Sequence, residues 1–404
     1  MKNKILKVLG IITLSFTFSI TYVEGLSETQ ITDKHFDAVF TDELLKNNLY
    51  QAEIAQKIDN IIKSYYVGTY PSYYGGMHIS NNSLNLIIRI VEKNIPQKNT
   101  EEHAVYREII GLNKSIKVEY VKYSYNELNE IYNALVDYTY SPGKINNLAS
   151  FYIDGINNKI AIELLNNSSV EQDKATGIFK KALVSAKTNS RLIENYSELI
   201  NFSENNYEFT ANLKPGGYIN NGSGGCSMGF RVKYNGKAGY MTAGHCFRSK
   251  NLGYEINTGT LKVKNFTNGG NYDYAFVETN SSWTPTNTLA TYKAGYTTLA
   301  AVTYCPYISE GQAIGKSGDY TGYGGGYIYS FNATLCDTYT GECIHNLVKS
   351  TLGTAPGDSG GPVYTMRSDS QGGPIAIGII SGGSGAGMYF TNINNLPVSL
   401  QTRY

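Results

Sequence analysis

Apolar and polar residues alternate in two different ways along the chain. Before residue 205, apolar side chains recur with the period of a helix, most clearly over Leu44–Tyr66. The apolar face of this predicted helix comprises Leu45, Leu49, Ile54, Ile58 and Ile62. After Gly216, short apolar runs alternate with glycine-rich turns, a pattern typical of all-β barrel proteins. The pattern therefore predicts an α+β region followed by an all-β region.

The α+β region contains two units of similar pattern, over about residues 27–115 and 116–205. In the first unit, the helix is followed by a predicted hairpin strand over Met77–Val91. In the second, a predicted helix over Ser124–Tyr138 opens with Ser124 and Glu127 at the spacing of a capping box. The remaining predicted elements are two strands and a helix, at Phe151–Asp154, Lys159–Leu164 and Ala175–Ala186.

The first 25 residues have the pattern of a secretory signal peptide. Lys2, Lys4 and Lys7 precede an apolar run over Val8–Ile20, and we expect cleavage after Gly25. The run is short for a bilayer span and is interrupted by Ser and Thr, although a membrane anchor is the alternative interpretation. No later stretch is apolar enough to span. We therefore expect a secreted, extracellular protein with no stable membrane association.

Charge and cysteine content narrow the class of protein further. The chain has 34 Lys and Arg against 33 Asp and Glu, so nothing indicates a nucleic-acid partner or a membrane-surface patch. All five cysteines lie between Cys226 and Cys343, which indicates one disulfide-bearing domain folded in an oxidising compartment. At 404 residues, the chain suits two or three domains.

The strongest candidate for chemistry is the string Gly-Asp-Ser-Gly-Gly-Pro at residues 357–362. A serine such as Ser359 becomes a nucleophile when a neighbouring base takes its proton, and glycines permit a backbone that wraps donors around an oxyanion. A glycine-rich hairpin is the alternative. The base should be a histidine, and only His245 and His345 follow residue 210. His345 has no distinctive setting, and we expect it on the surface or in a loop.

Two motifs resemble those of chymotrypsin-type serine proteases. The string at 357–362 resembles the nucleophile loop, and Thr-Ala-Gly-His-Cys at 242–246 resembles the histidine loop of the bacterial branch, the α-lytic protease and streptogrisin type. The resemblance implies a catalytic domain of two six-stranded β-barrels, with His245 as the base; a packed core histidine is the alternative. It covers the last half of the chain strongly and the first half faintly.

The acid that orients the base should lie between it and the nucleophile in the chain order of this family. Three aspartates qualify, namely Asp273, Asp319 and Asp337, apart from Asp358 beside the nucleophile. Asp273 enters an apolar strand, where a carboxylate is expected to be buried and hydrogen-bonded, and the family's acid has a similar Asp-x-Ala-apolar setting. The other two lie in turns, where aspartate is common. We therefore predict Asp273.

These residues have definite roles in the chemistry that the resemblance implies. Ser359 attacks a peptide carbonyl, His245 takes and returns its proton, and Asp273 holds the imidazole. The backbone N–H groups of Gly357 and Ser359 form the oxyanion hole. Activity is therefore expected on protein or peptide substrates. A non-catalytic barrel that binds extended peptide or protein is the alternative, and an acyl hydrolase acting on esters is a third reading.

The resemblance also implies structural pairs. Cys226 and Cys246 should form a disulfide, as the corresponding family cysteines do. Cys336 and Cys343 have a spacing suited to a small hairpin disulfide, which leaves Cys305 as a free thiol or a competitor for that pair. The bacterial branch pairs the aspartate before the nucleophile with an internal cation, so Asp358 should pair with Lys316. A solvated surface lysine is the alternative.

The strand leading to Ser381, Gly382 and Gly383 resembles the one whose free edge binds the substrate backbone by strand addition. By the same resemblance, Ser381 should hydrogen-bond Asp273. Gly382 and Gly383 leave a specificity pocket open. With no carboxylate identified at its base, a medium-to-large apolar or aromatic side chain is the expected preference.

The first half resembles the pro-region of the α-lytic protease family, most clearly around Tyr73–Gly76 and Asp154–Ile160. The predicted division is a signal peptide at 1–25, an α+β pro-region at 26–205 and a protease domain at 206–404. The pro-region would assist folding, occupy the active site and be cut away; an unrelated adhesion or inhibitory domain is the alternative. No His-Glu-x-x-His motif is present, and we expect no metal or other cofactor. We expect a monomer whose partners are substrates and its own pro-region.

Overall fold

A computed structural model describes most of the chain after residue 41. The described residues are 42–80, 85–139, 147–186, 190–194, 196–204, 218–220, 225–283, 285, 288–291, 295–298, 307–338, 340–365, 374–384, 387–397 and 400. The predicted signal peptide, the expected processing segment near residue 205 and Cys305 lie outside these residues.

The described N-terminal residues form two lobes with a similar order of elements, and the second lobe has one additional short helix. In the first lobe the elements are α1 (Asp42–Tyr65), β1 (Tyr74–Ile79), β2 (Leu86–Ile90), α2 (Glu101–Gly111) and β3 (Lys117–Tyr120). In the second they are α3 (Tyr125–Thr139), β4 (Leu148–Asp154), β5 (Lys159–Leu164), α4 (Ser169–Ser185), α5 (Ser190–Glu194) and β6 (Ile200–Glu204). Each lobe pairs its first two strands antiparallel and adds the third strand parallel to the second.

Sequence pattern explains why these helices form where they do. From Leu49 onward, the predicted apolar face of α1 is buried in the first lobe, with Ile58 and Ile62 fully inaccessible to solvent. The predicted capping box at the start of α3 is present. The Ser124 N–H donates to Glu127 Oε2 at 2.8 Å, and the Glu127 N–H donates to Ser124 Oγ at 3.2 Å.

The C-terminal half begins with a pair of short strands, a five-stranded sheet and a second pair. The first pair is β7 (Tyr218–Asn220) and β8 (Gly225–Ser227). The five strands are β9 (Arg231–Tyr234), β10 (Lys237–Thr242), β11 (Glu255–Ile256), β12 (Gly259–Asn265) and β13 (Tyr274–Thr279), in the order β11-β12-β13-β10-β9. The second pair is β14 (Thr288–Thr291) and β15 (Gly295–Thr298).

Six further strands form a closed ring. They are β16 (Ala313–Gly318), β17 (Gly322–Cys336), β18 (Cys343–Ser350), β19 (Pro362–Thr365), β20 (Ile375–Ser384) and β21 (Gly387–Asn392). The order is β16-β19-β20-β21-β18-β17, and β17 pairs back to β16. Apolar side chains such as Phe276 of the first sheet and Ile379 of the ring share one core. The predicted fold class, an all-β barrel half after an α+β region, is confirmed.

The two halves of the chain share a continuous sheet. Strand β4 pairs antiparallel with β17 through Phe151 and Thr334, so that β4, β5 and β6 extend the ring sheet to nine strands. None of the helices in the described part of the chain is long and apolar enough to cross a membrane.

The predicted surface position of His345 is wrong. His345 lies in β18, is fully buried, and its Nδ1 is 2.8 Å from the hydroxyl of Thr334. Burial lowers its pKa to about 4. The physical reason is that the pairing of β4 with β17 brings the Phe151 ring to 6.3 Å from the imidazole, so this part of the ring packs against the N-terminal region.

Candidate active site

The histidine loop and the predicted acid lie at the ends of two paired strands. Strands β10 and β13 are antiparallel, with Thr242 opposite Ala275, so the residue before β13 lies beside the residues that follow β10. His245 opens a short 3-10 turn after β10, and Asp273 immediately precedes β13. A side chain at Gly244 would bring its Cβ within 2.4 Å of the Asn265 carbonyl oxygen, so only glycine fits this turn.

The structure brings His245 and Asp273 together directly. Asp273 Oδ2 lies 2.7 Å from His245 Nδ1, and Asp273 Oδ1 accepts the backbone N–H of His245 at 2.8 Å. Both residues are buried. Since an ionised carboxylate only accepts hydrogen bonds, Nδ1 carries the proton and Nε2 is the basic nitrogen of the neutral ring.

The expected hydrogen bond from Ser381 to Asp273 is not formed among the described residues. The Ser381 hydroxyl instead lies 3.3 Å from the Thr391 hydroxyl. Thr391 Oγ1 in turn accepts the Asp273 N–H at 3.1 Å and donates to the Asp273 carbonyl oxygen at 3.1 Å. Thr391 therefore lies between the Ser381 hydroxyl and the Asp273 backbone, so Ser381 reaches Asp273 only through this side chain.

The nucleophile loop is held against strand β8. The Ser227 N–H donates to the Ser359 carbonyl at 2.7 Å, and the Ser227 hydroxyl donates to the Gly357 carbonyl at 2.7 Å. Gly357 and Gly360 have φ angles of +107° and +90°, which side chains disfavour. The Cys226–Cys246 disulfide links β8 to the histidine loop. Strand β8 therefore connects the nucleophile loop to the histidine loop.

The position of Ser359 is set by these backbone contacts. Ser359 is buried, and its carbonyl oxygen lies 4.0 Å from the sulfur of Cys246, the residue after His245. Within the described part of the chain, the Ser359 hydroxyl and the N–H groups of Gly357 and Ser359 make no hydrogen bond. The predicted base and acid are therefore in direct contact, and the predicted nucleophile lies beside the histidine loop.

The pair of Asp358 and Lys316 is buried behind the nucleophile loop. Lys316 Nζ lies 2.8 Å from Asp358 Oδ2, and both side chains are almost inaccessible to solvent. The carboxylate also accepts the Thr321 N–H at 2.9 Å and the Thr354 hydroxyl at 3.0 Å. Burial alone would raise the pKa of Asp358, but the charge of Lys316 and the hydrogen bonds from Lys316 and Thr321 together outweigh it and hold the pKa below its usual value.

The second disulfide joins the ends of two ring strands, because Cys336 of β17 faces Cys343 of β18. Near the first disulfide, Cys226, Cys246 and His245 bring potential metal-binding atoms within 4.8 Å. Both sulfurs are used in the disulfide, so they offer no thiolate to a metal ion.

The predicted substrate-binding residues lie at the end of β20. The pairing of β20 with β21 is irregular between Ile380 and Gly382, where the strand direction changes. Gly383 has a φ of +147°, and a Cβ there would meet the Gly387 carbonyl at 2.1 Å. The close approach of two backbones explains the glycine at this position.

Sequence reasoning missed two residues that support the site, Thr391 and Ser227. Thr391 lies in an ordinary strand of alternating pattern, and Ser227 follows a cysteine without a recognisable motif. Their contacts arise from tertiary pairing, so no local signal could have identified them.

The fold and the site define the class of protein as chymotrypsin-like. The sequence model of the Trypsin family matches residues 218–396. The chain is 30% identical over 171 residues to Glutamyl endopeptidase 2 of Streptomyces griseus. This match covers 42% of this chain and 85% of that protein. This chain belongs to the Trypsin family, and its relatives include serine proteases of the streptogrisin type.

Two further relatives come from Streptomyces griseus. Streptogrisin-C is 35% identical over 187 residues, covering 44% of this chain and 38% of its own length. Streptogrisin-A is 30% identical over 178 residues, covering 44% of this chain and 54% of its own length. The chain therefore spans about two fifths to half of these relatives. Among solved structures, Thermobifida fusca Protease A is 29% identical, with a TM-score of 0.38 over 46% of this chain and 93% of that one.

Proposed function

We propose that this protein is a secreted serine endopeptidase that is made as an inactive precursor. The observation that carries the proposal is the buried contact of 2.7 Å between His245 Nδ1 and Asp273 Oδ2, beside the loop that holds Ser359. A carboxylate in this position fixes the tautomer that leaves Nε2 basic, which is the state a general base needs.

The chemistry follows from these residues. His245 Nε2 takes the proton of Ser359 as the hydroxyl attacks a peptide carbonyl, and Asp273 stabilises the imidazolium that forms. The N–H groups of Gly357 and Ser359, which have no acceptor among the described residues, are available to the oxyanion. His245 then donates the proton to the leaving amine, and water releases the acyl group. The extended substrate would pair with residues 381–383.

The precursor role is assigned to residues 26–205. The pairing of β4 with β17 supports it, because it joins the N-terminal region to the same ring that carries the nucleophile loop. A signal peptide at 1–25 would direct the chain to an oxidising compartment, with which the two disulfides agree. Cleavage near residue 205 would then release a monomeric mature chain from its pro-region.

Cleavage of a peptide library by protein recovered from the culture medium tests the proposal. We expect turnover of peptides that Ser359→Ala abolishes and that Asp273→Asn lowers by about 10⁴-fold in kcat, because the amide favours the wrong tautomer. The same library with ester analogues separates an ester-specific hydrolase. A folded protein that cleaves neither class would instead favour the non-catalytic barrel.

A further inference from the structure

A buried ion pair joins the N-terminal region to the ring. Glu163 lies on β5 and Lys349 on β18, and Lys349 Nζ is 2.6 Å from Glu163 Oε1. The two side chains are only 5% and 9% exposed, although they are separated by 186 positions in sequence. Since a buried charge is stable only when it is paired, each half of the chain depends on the other at this point.

The surroundings of this ion pair come from both halves. Tyr389 of the ring places its hydroxyl 2.9 Å from Glu163 Oε2 and 2.8 Å from the hydroxyl of Ser150 on β4. The Lys349 ammonium lies 3.9 Å from the centre of the Tyr152 ring, also on β4. The carboxylate and the ammonium are therefore each contacted by side chains of the opposite half.

The backbone pairing between β4 and β17 is of a less selective kind than this ion pair. Phe151 and Ser150 face Thr334 and Leu335 in ordinary antiparallel register. In strand addition, backbone hydrogen bonds supply affinity for any extended segment, while side-chain contacts supply specificity. An unrelated strand without a carboxylate at this place would leave the Lys349 ammonium buried without its anion.

We propose that the Glu163–Lys349 pair is the determinant by which the ring recognises its own N-terminal region. The partner is the hairpin Leu148–Leu164 of this same chain, and a hairpin without a carboxylate at position 163 is rejected. The proposal rests on the proposed function in one respect, since recognition matters for maturation only if the two halves are separated by cleavage. Removing Glu163 leaves the Lys349 ammonium buried without its anion, and burial already lowers the pKa of Lys349.

The experiment is a double-mutant cycle on the full chain carrying Ser359→Ala. Hydrogen exchange of residues 148–154 and 343–350 is measured in Glu163→Gln, in Lys349→Met and in the double variant. We expect each single variant to exchange about 100-fold faster, because an unpaired buried charge remains. The double variant, which removes both charges, should return to within about tenfold of the parent.

The control is Glu198→Gln, which breaks the exposed Lys122–Glu198 pair inside the N-terminal region. In this variant, the exchange of residues 148–154 and 343–350 should change by less than about threefold. The proposal is overturned if the two single effects multiply in the double variant, or if each single variant exchanges like the control. If a single variant does not fold, restored folding in the double variant supports the proposal and continued failure contradicts it. Because Ser359→Ala removes the nucleophile, this outcome is independent of peptidase activity.

Discussion

The carboxylate of Asp273 accepts two hydrogen bonds from one residue, the backbone N–H and the ring Nδ1–H of His245. This arrangement fixes the position of the turn and the orientation of the imidazole together. Thr391 fixes the Asp273 backbone from the other side. The imidazole of His245 is thus oriented by contacts between residues distant in sequence, and a displacement of Asp273 would move it.

At the same scale, Lys316→Met tests the buried pair behind the nucleophile loop. The substitution leaves the Asp358 carboxylate buried without its cation, and removal of one partner of a buried pair costs about 3–5 kcal/mol. We expect the free energy of unfolding in urea at neutral pH to fall by that amount. Lys316→Arg should recover most of the loss, because the guanidinium keeps the charge.

The pH dependence gives a second measure of this pair. The pKa of Asp358 is lowered from its ordinary value of 3.8, so the stability it contributes is present above that value and is lost as the pH falls through the folded pKa. Acidification below about pH 4 should therefore destabilise the parent more steeply than Lys316→Met. Equal stability of parent and variant at neutral pH would contradict the account.

Residue-scale expectations from sequence depended on whether the signal was local. Asp273 could be predicted because a carboxylate opening an apolar strand needs a buried partner. The sequence could not show whether Ser381 bonds directly to Asp273, because this depends on where Thr391 lies across the sheet. Local sequence motifs indicate which polar groups need hydrogen-bond partners, but tertiary strand pairing decides which residue becomes the partner.

At the scale of the element, the nucleophile loop depends on close backbone packing. Gly360 has a φ of +90°, and a Cβ there would lie 2.1 Å from the Thr242 hydroxyl and 2.4 Å from the Ser227 carbonyl. The loop is therefore pressed against both β8 and the end of β10. A side chain at this position would push Ser359 away from the histidine loop.

We expect Gly360→Ala to destabilise the fold by more than about 2 kcal/mol and to abolish peptide cleavage, because strain and a backbone clash combine. The matched control is Gly236→Ala, at a φ of +75° with no atom within 4 Å of the added Cβ. The control carries backbone strain alone, and urea unfolding compares the two. Equal losses in both variants would show that the close packing at Gly360 is unimportant.

Element boundaries followed from periodicity where packing agreed with the local pattern. Helix α1 was predicted over Leu44–Tyr66 and spans Asp42–Tyr65, because its apolar face is buried as the pattern requires. Strand β18 is the contrary example. Its His345 carried no local sign of burial, since the covering strand β4 comes from almost two hundred residues earlier in the chain.

At the scale of the whole molecule, both N-terminal lobes meet the segment that precedes β16. The Ile79 N–H of the first lobe donates to the Glu310 carbonyl at 2.8 Å. The Glu310 carboxyl faces Gly155 of the second lobe, where a Cβ would approach Oε2 to 2.5 Å. A single acidic side chain therefore lies buried between three parts of the chain.

Glu310 should make the joined structure sensitive to pH. Burial raises its pKa to about 8, with Asp154 adding to the effect and Arg89 opposing it. A carboxyl with a raised pKa contributes stability that is complete below its ordinary value of 4.5 and is lost as the pH rises to about 8. The loss could reach roughly 5 kcal/mol.

We expect the Ser359→Ala chain to become less stable in urea between about pH 5 and pH 8, and Glu310→Gln to remove most of that slope. Glutamine has the shape of the protonated acid and cannot ionise. Parallel pH profiles for the two chains would contradict this, because they would mean that the pKa of Glu310 is not raised by folding.

The order of an α+β region and an all-β region could be predicted for the whole molecule, because each has its own hydrophobic period. The pairing of β4 with β17, which joins these two regions, could not be predicted. Strand pairing between distant segments leaves no periodic signal, and Glu163 and Lys349 each look like ordinary charged residues until the sheet is formed.

The most direct test of the central claim is mass spectrometry of the mature protein after treatment with a fluorophosphonate, which reacts with activated serine. We expect one adduct, on Ser359, that is absent in Ser359→Ala and strongly reduced in His245→Ala. An adduct that persists without Ser359, or a folded mature chain that does not react, would contradict the assignment of Ser359, His245 and Asp273 as one catalytic unit.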